Sequence, residues 1–251
     1  MGGLVLATLA ATFEDRDRAR LRERVFYTTM SGIFLILVLV GFSRTFFLRP
    51  YFQTEPLMPL LILHGSLFSS WIALFLIQTT LVASKRTRVH RKLGVAGGVL
   101  ATLMVIVGTV TGIVRAKTVA PPPGFSSGLT FLTIPLGDML VFAVLIGAAV
   151  YYRNRVDIHK RLMIIGTIAL MPAAVARLPA AFFEQGGPLV FYGLSDLLIL
   201  PLLIYDIATC GRPHRATVIG AAILVISHPL RIIVGNTHAW IAFATWLTHW
   251  T

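Results

Sequence analysis

Long apolar runs broken by short polar stretches set the pattern of this chain. A helix rises 1.5 Å per residue, so about 20 apolar residues cross the roughly 30 Å hydrocarbon core of a bilayer. Seven runs have that length: residues 26–46, 59–83, 94–114, 130–152, 161–179, 189–209 and 217–237. They predict an all-α polytopic membrane protein of about seven transmembrane helices, with a four-helix core from spans two to five. The chain then divides into an N-terminal segment, 1–25, a transmembrane helical domain, 26–237, and an interfacial tail, 238–251. Little polar chain is left over, so no soluble catalytic domain is expected.

The polar punctuation adds detail. Glu14 to Arg24 alternates acidic and basic residues, which suits a helix lying at the interface. Pro121-Pro122-Pro123-Gly124 forbids helix and predicts a loop, and Ala180 to Pro188 predicts a second one. His228-Pro229 predicts a kink in span seven, because proline removes a backbone hydrogen bond. In the tail, Trp240, Phe243, Leu247 and Trp250 recur at steps of three and four, with Trp246 alongside. That spacing predicts an aromatic helix lying on the outer surface.

Composition agrees with the pattern. The chain is 56% hydrophobic and 13% charged, about half the charge of a soluble domain. A net charge of +12 invites a nucleic-acid reading, and the distribution of the charge argues against one. Arg16, Arg18, Arg20, Arg22 and Arg24 precede span one. Lys85, Arg86, Arg88, Arg91 and Lys92 lie between spans two and three. Arg153, Arg155, Lys160 and Arg161 lie between four and five, and Arg212 and Arg215 between six and seven. The surplus therefore falls on one side of the membrane. By the positive-inside rule it places the N-terminus in the cytoplasm and the C-terminus outside. The single cysteine, Cys210, excludes an intrachain disulfide and a cysteine-ligated cluster. Residues Met1 to Thr12 are apolar without a basic leader and do not read as a cleaved signal peptide.

Histidine is costly in a bilayer unless it has a partner, so three positions draw the search for function. His64 lies about 7 Å inside the outer end of span two, counting 1.5 Å per residue. His90 opens span three and His159 opens span five. These two spans run in the same direction, so His90 and His159 share one membrane level. Two neutral imidazoles facing across a gap are what a bis-histidine haem iron, or another metal, requires. Gly94, Ala96, Gly97, Gly98, Gly166 and Ala169 follow them and suit either a flat macrocycle or close helix packing. The plainer alternative is an interfacial histidine bonded to a headgroup or a helix-end carbonyl. Asp206 is a candidate acceptor for orienting His159.

Other intramembrane charges fall toward the outer half: Asp138, Arg177, Asp196, His228 and Arg231. Buried charges should be paired or line a wet cavity. Pairs such as Asp196–Arg177 or Asp138–Arg231 would simply hold helices together. The sharper reading is an outer pocket that includes His64 and accepts a quinone, a small reductant or a metal ion.

Residues 81–94 read LVASKRTRVHRKLG, and residues 157–178 read DIHKRLMIIGTIALMPAAVARL. This pair of His-initiated helices after basic turns resembles a family of uncharacterised bacterial integral membrane proteins. More distantly it resembles the cytochrome b-561 type, transmembrane electron carriers with two b haems. In that type, helices two and four hold one haem, and helices three and five hold the other. The resemblance implies that His90 and His159 are axial ligands of the cytoplasmic-side haem b, and that His64 stands at the helix-two position of the outer haem. Span four has no histidine; Asp138 stands near the expected depth, and carboxylate is a poor haem ligand. The resemblance therefore implies at most one bis-histidine haem. The expected function is electron transfer through a haem or metal, with a quinone or small reductant as partner. The alternative is a non-catalytic subunit of a larger respiratory or photosynthetic membrane complex, its small-residue helix faces and aromatic tail binding other subunits, lipid or pigment.

Overall fold

The computed structural model describes the backbone of residues 2–52, 56–118, 120–180, 183 and 186–250, with side chains from Asp17 onward. Its regular elements are all helical among the described residues. They are α1 (Gly2–Gly41), α2 (Pro59–Ala83), α3 (Thr87–Arg115), α4 (Gly128–Phe131), α5 (Thr133–Tyr151), α6 (Val156–Ile168) and α7 (Met171–Val175). After these come α8 (Gly187–Asp196), α9 (Leu200–Cys210), α10 (Arg215–Gly235) and α11 (His238–Leu247). Seven stretches are long and apolar enough to cross a membrane: Asp17–Gly41, Pro59–Ala83, Thr87–Arg115, Gly128–Tyr151, Val156–Val175, Gly187–Cys210 and Arg215–Gly235. The fold is thus the all-α polytopic membrane bundle that the apolar pattern predicts.

Boundaries shift where local chemistry competes with hydropathy. The charged stretch before span one is not a separate interfacial helix, because α1 runs unbroken through it. The apolar run to residue 46 breaks early. The Ser43 hydroxyl donates to the Val40 carbonyl at 2.6 Å, and the chain turns into a wide helical loop, Ser43–Phe47. Gly211 ends α9 with a positive φ of 70°, a conformation that glycine adopts without strain, and its N–H donates to the Ile207 carbonyl. Helix α10 continues through Pro229 as one element.

Span five is the axis of the bundle. It is 72% buried, against 17% to 50% for the other six. Helix α5 packs on α3, α6 and α10; α1 packs on α2 and α7; α2 packs on α3. Spans two to five therefore pack in succession, and spans one and seven add to their core. Small residues let the backbones approach, as lipid-embedded interfaces favour. A methyl group at Gly41 would collide with the Ala174 carbonyl, and one at Gly166 would lie 2.6 Å from Ile146 Cδ1. One at Gly220 would lie 2.9 Å from Ile165 Cδ1. The centre is filled by Phe34, Trp71, Phe75, Met104, Phe142 and Ile164. Trp71 meets Phe142 edge-on at 5.1 Å, and its indole N–H donates to Thr167 Oγ1 at 3.3 Å.

Near the arginine-rich end, one buried charge knot ties spans five, six and seven. Asp206 has no exposed surface, and Arg161 is 3% exposed. Arg161 Nε and Nη2 donate to Asp206 Oδ1 at 2.8 and 2.6 Å. Thr217 Oγ1 and the His214 backbone N–H donate to Oδ2 at 2.5 and 3.1 Å. Arg161 Nη1 donates to the Asp157 carbonyl at 2.8 Å. Every oxygen of the carboxylate is satisfied, so removing it strands a guanidinium in the core. Asp206→Ala is expected to cost about 3–5 kcal/mol and to lower the melting temperature of the detergent-solubilised protein. The double variant Arg161→Met/Asp206→Leu should recover most of that loss. A single variant that melts with the wild type would refute the assignment.

Candidate functional site

Two polar sites lie at different levels of the bundle. The first is at the arginine-rich end, where α3 and α6 each place a histidine near their start. The ring centroids of His90 and His159 are 6.4 Å apart, with their planes 79° to one another. Two metal–imidazole bonds of about 2 Å, plus about 1 Å from each ligating nitrogen to its ring centre, give about 6 Å. The pair thus stands at the separation of two imidazoles sharing one ion.

The Nδ1 atom of each ring is held. Nδ1 of His159 lies 2.8 Å from the Ala149 carbonyl at the end of α5. It donates there, which leaves the lone pair on Nε2. This is the helix-end carbonyl contact of the plainer reading, and it serves equally to orient a ligand. It also corrects the role expected of Asp206: that carboxylate is occupied by Arg161 and does not reach His159. Nδ1 of His90 meets Gln78 of span two. With the Gln78 Oε1 accepting from the Gly94 N–H at 3.1 Å, its amide nitrogen donates to His90 Nδ1 at 2.7 Å and to the His90 carbonyl at 3.3 Å. That orientation follows from the hydrogen-bond network and puts the His90 proton on Nε2. Turning the amide would offer Oε1 to an Nδ1 proton and free Nε2 as a ligand. Gln78 is a polar residue that the sequence reading passed over; its signal was a lone amide in an apolar helix.

The small residues around the pair divide by role. A methyl at Gly98 would meet nothing within 4 Å, and one at Gly94 would meet only Gln78, at 3.8 Å. Both lie on the face of α3 that carries His90, one and two turns on, and they leave that face open. Gly97 and Gly166 serve packing, against Leu74 and Ile146. Among the described residues, no group of three or more His, Cys, Asp or Glu side chains is placed to hold a metal ion. Two histidines alone suit a group that brings its own equatorial donors, as a haem does. Their spacing fits such a group, and the donor set fits it once the Gln78 amide turns to free the lone pair on His90 Nε2.

The second site lies among spans four, six and seven. Arg231 of α10 forms a close ion pair with Asp138 of α5. Its Nη2 donates to Ser227 Oγ at 2.9 Å, and its Nη1 to Tyr192 Oη at 3.3 Å. The Tyr192 ring stacks on His228, with centroids 3.9 Å apart, and His228 Nδ1 lies 3.2 Å from Asp196 Oδ2. Four of the residues expected in an outer pocket, Asp138, Asp196, His228 and Arg231, are thus gathered, with Tyr192 as the member the sequence reading missed. Arg177 and His64 are not part of this network. Arg177 donates to the Ala173 carbonyl at 2.7 Å and stands 5.0 Å over the Phe42 ring. His64 stacks on Phe68 at 4.1 Å, and its buried Nδ1 has no partner among the described residues. The expected Asp196–Arg177 pair is replaced by Asp196–His228, and His64, Asp138 and His228 do not assemble as a metal site.

Arg231 is held on three sides, and Gly137 supplies the fourth. A methyl at Gly137 would fall within 2.5 Å of Arg231 Cδ. Gly137→Ala is expected to destabilise the protein by about 1–3 kcal/mol, read as a lower melting temperature in detergent. Gly147→Ala, where a methyl meets nothing within 4 Å, should be close to neutral. Equal effects of the two would refute this packing.

Comparison with family models, with curated proteins and with solved structures finds no match to the chain.

Proposed function

We propose that this is a membrane electron-transfer protein that holds one b-type haem between His90 and His159, at the cytoplasmic level of a bacterial inner membrane. The observation that carries the reading is the 6.4 Å separation of two imidazoles on different helices, each with its Nδ1 fixed. When bound, the haem would supply one-electron redox chemistry at its iron. The chain's own residues set the conditions for it. Ala149 fixes the His159 tautomer and ring plane, Gln78 does the same for His90 once its amide turns, and Gly94 and Gly98 keep the His90 face open. A small polar partner, quinone or reductant, would meet the chain on the outer side at the Asp138–Arg231 and Asp196–His228 network, where both carboxylates keep partial exposure. The arginine-rich loops support placing their end of the bundle in the cytoplasm.

The purified protein is expected to show a Soret band, with sharp α and β bands after dithionite, and His90→Ala and His159→Ala should abolish them. Gln78→Leu should weaken haem retention about 10–100-fold, as loss of an orienting partner does at other metal sites. A colourless preparation, with or without added haem, that co-purifies with a stoichiometric partner would replace this reading with that of an accessory subunit.

Orientation has a separate test, because the single cysteine, Cys210, is exposed beside Arg212. A membrane-impermeant maleimide should leave Cys210 unlabelled in intact spheroplasts and label it in inverted vesicles. The opposite pattern would reverse the topology.

A further inference from the structure

The arginine-rich end carries a groove that neither polar site uses. Its volume is about 790 Å³, and helices α5, α6 and α10 form its walls. Leu145 and Leu162 make a buried floor, and Val144, Ile219 and Ile223 make exposed apolar rims. Along α10 the lining runs from Arg215 to Ile223. At 1.5 Å per residue that is about 12 Å, most of one leaflet of a roughly 30 Å core. Arg212, His214 and Arg215 stand at its mouth with Tyr152.

The mouth contains one acid, Asp157, and its carboxylate is already engaged. His214 Nδ1 accepts the Ala216 N–H that begins α10, and its Nε2 lies 3.3 Å from Asp157 Oδ2. Asp206, the other acid nearby, is closed off by Arg161 and Thr217. Arg212 and Arg215 are left without a carboxylate partner among the described residues. An apolar groove about 12 Å long with exposed rims, under two guanidiniums that have no carboxylate partner among the described residues, matches a molecule with an acyl chain and an anionic head. Guanidinium binds phosphate bidentately, and basic residues at this depth attract anionic lipid.

We propose that this groove is a binding site for an anionic phospholipid, with its phosphate on Arg212 and Arg215 and an acyl chain along Val144, Ile219 and Ile223. The groove's lining does not include His90, His159 or Gln78, and the proposal does not depend on a haem there. The test is native mass spectrometry of the detergent-purified full chain titrated with phosphatidylglycerol or with phosphatidylcholine of the same acyl chains. Wild-type protein should bind phosphatidylglycerol about tenfold more tightly. Arg212→Gln/Arg215→Gln should erase that preference. Ile219→Trp, which fills the channel and keeps both charges, should weaken binding of both lipids. Arg86→Gln/Arg88→Gln, basic residues outside the groove, should leave the preference intact. Several outcomes would overturn the proposal: equal binding of the two lipids by wild type, loss of preference in the Arg86/Arg88 control, retention of it in Arg212→Gln/Arg215→Gln, or unchanged lipid binding in Ile219→Trp. Displacement of the lipid by millimolar inorganic phosphate alone would also overturn it, in favour of a free-phosphate site.

Discussion

The bundle depends on the ion pair between Arg161 and Asp206. Span five is the most buried helix, yet it begins with a basic residue turned inward. A guanidinium there is tolerable only because span six supplies a carboxylate and span seven completes that carboxylate's hydrogen bonds. The knot sets the relative depth of three helices. It thereby fixes where the start of α6 sits, and with it His159. The small residues of span five, Gly166 and Ala169, then let α5 and its neighbours close around the axis.

Much of the fold was legible because a bilayer leaves few choices. Helices are the only open-chain structures that satisfy their own backbone in lipid, so apolar run length alone places the spans. Span two, expected at 59–83, is observed as Pro59–Ala83. Errors arose where side chains overrule hydropathy, as at Ser43, which turns the chain before its apolar run is finished. In the tail the expected aromatic helix forms, and it is anchored inward as well. The Trp240 indole donates to the Leu129 carbonyl at 2.9 Å, while Trp246 and Trp250 remain exposed.

The sites were legible by residue type and less so by partner. Period and depth bring His90 and His159 to one level, and they gather Asp138, Asp196, His228 and Arg231 in one half of the bundle. Which acid meets which base depends on helix rotation, and rotation is set by packing contacts between spans that are remote in sequence. Asp196 faces His228 across 32 residues, and Arg161 faces Asp206 across 45. The groups that tune these sites, Gln78 and Tyr192, carry no charge and sit within apolar runs, where hydropathy reads them as filler.

The Asp138–Arg231 network has an electrical consequence. A single charge moved across a membrane does work of about 2.3 kcal/mol per 100 mV. Asp138 and Arg231 lie in contact at one depth, so the field pulls on them in opposite directions and their net work is close to zero. A joint movement of spans four and seven would therefore be nearly silent to voltage, because the pair travels together. Either partner moved alone would feel the field in full, so it is the contact between the two that hides both charges from the membrane potential.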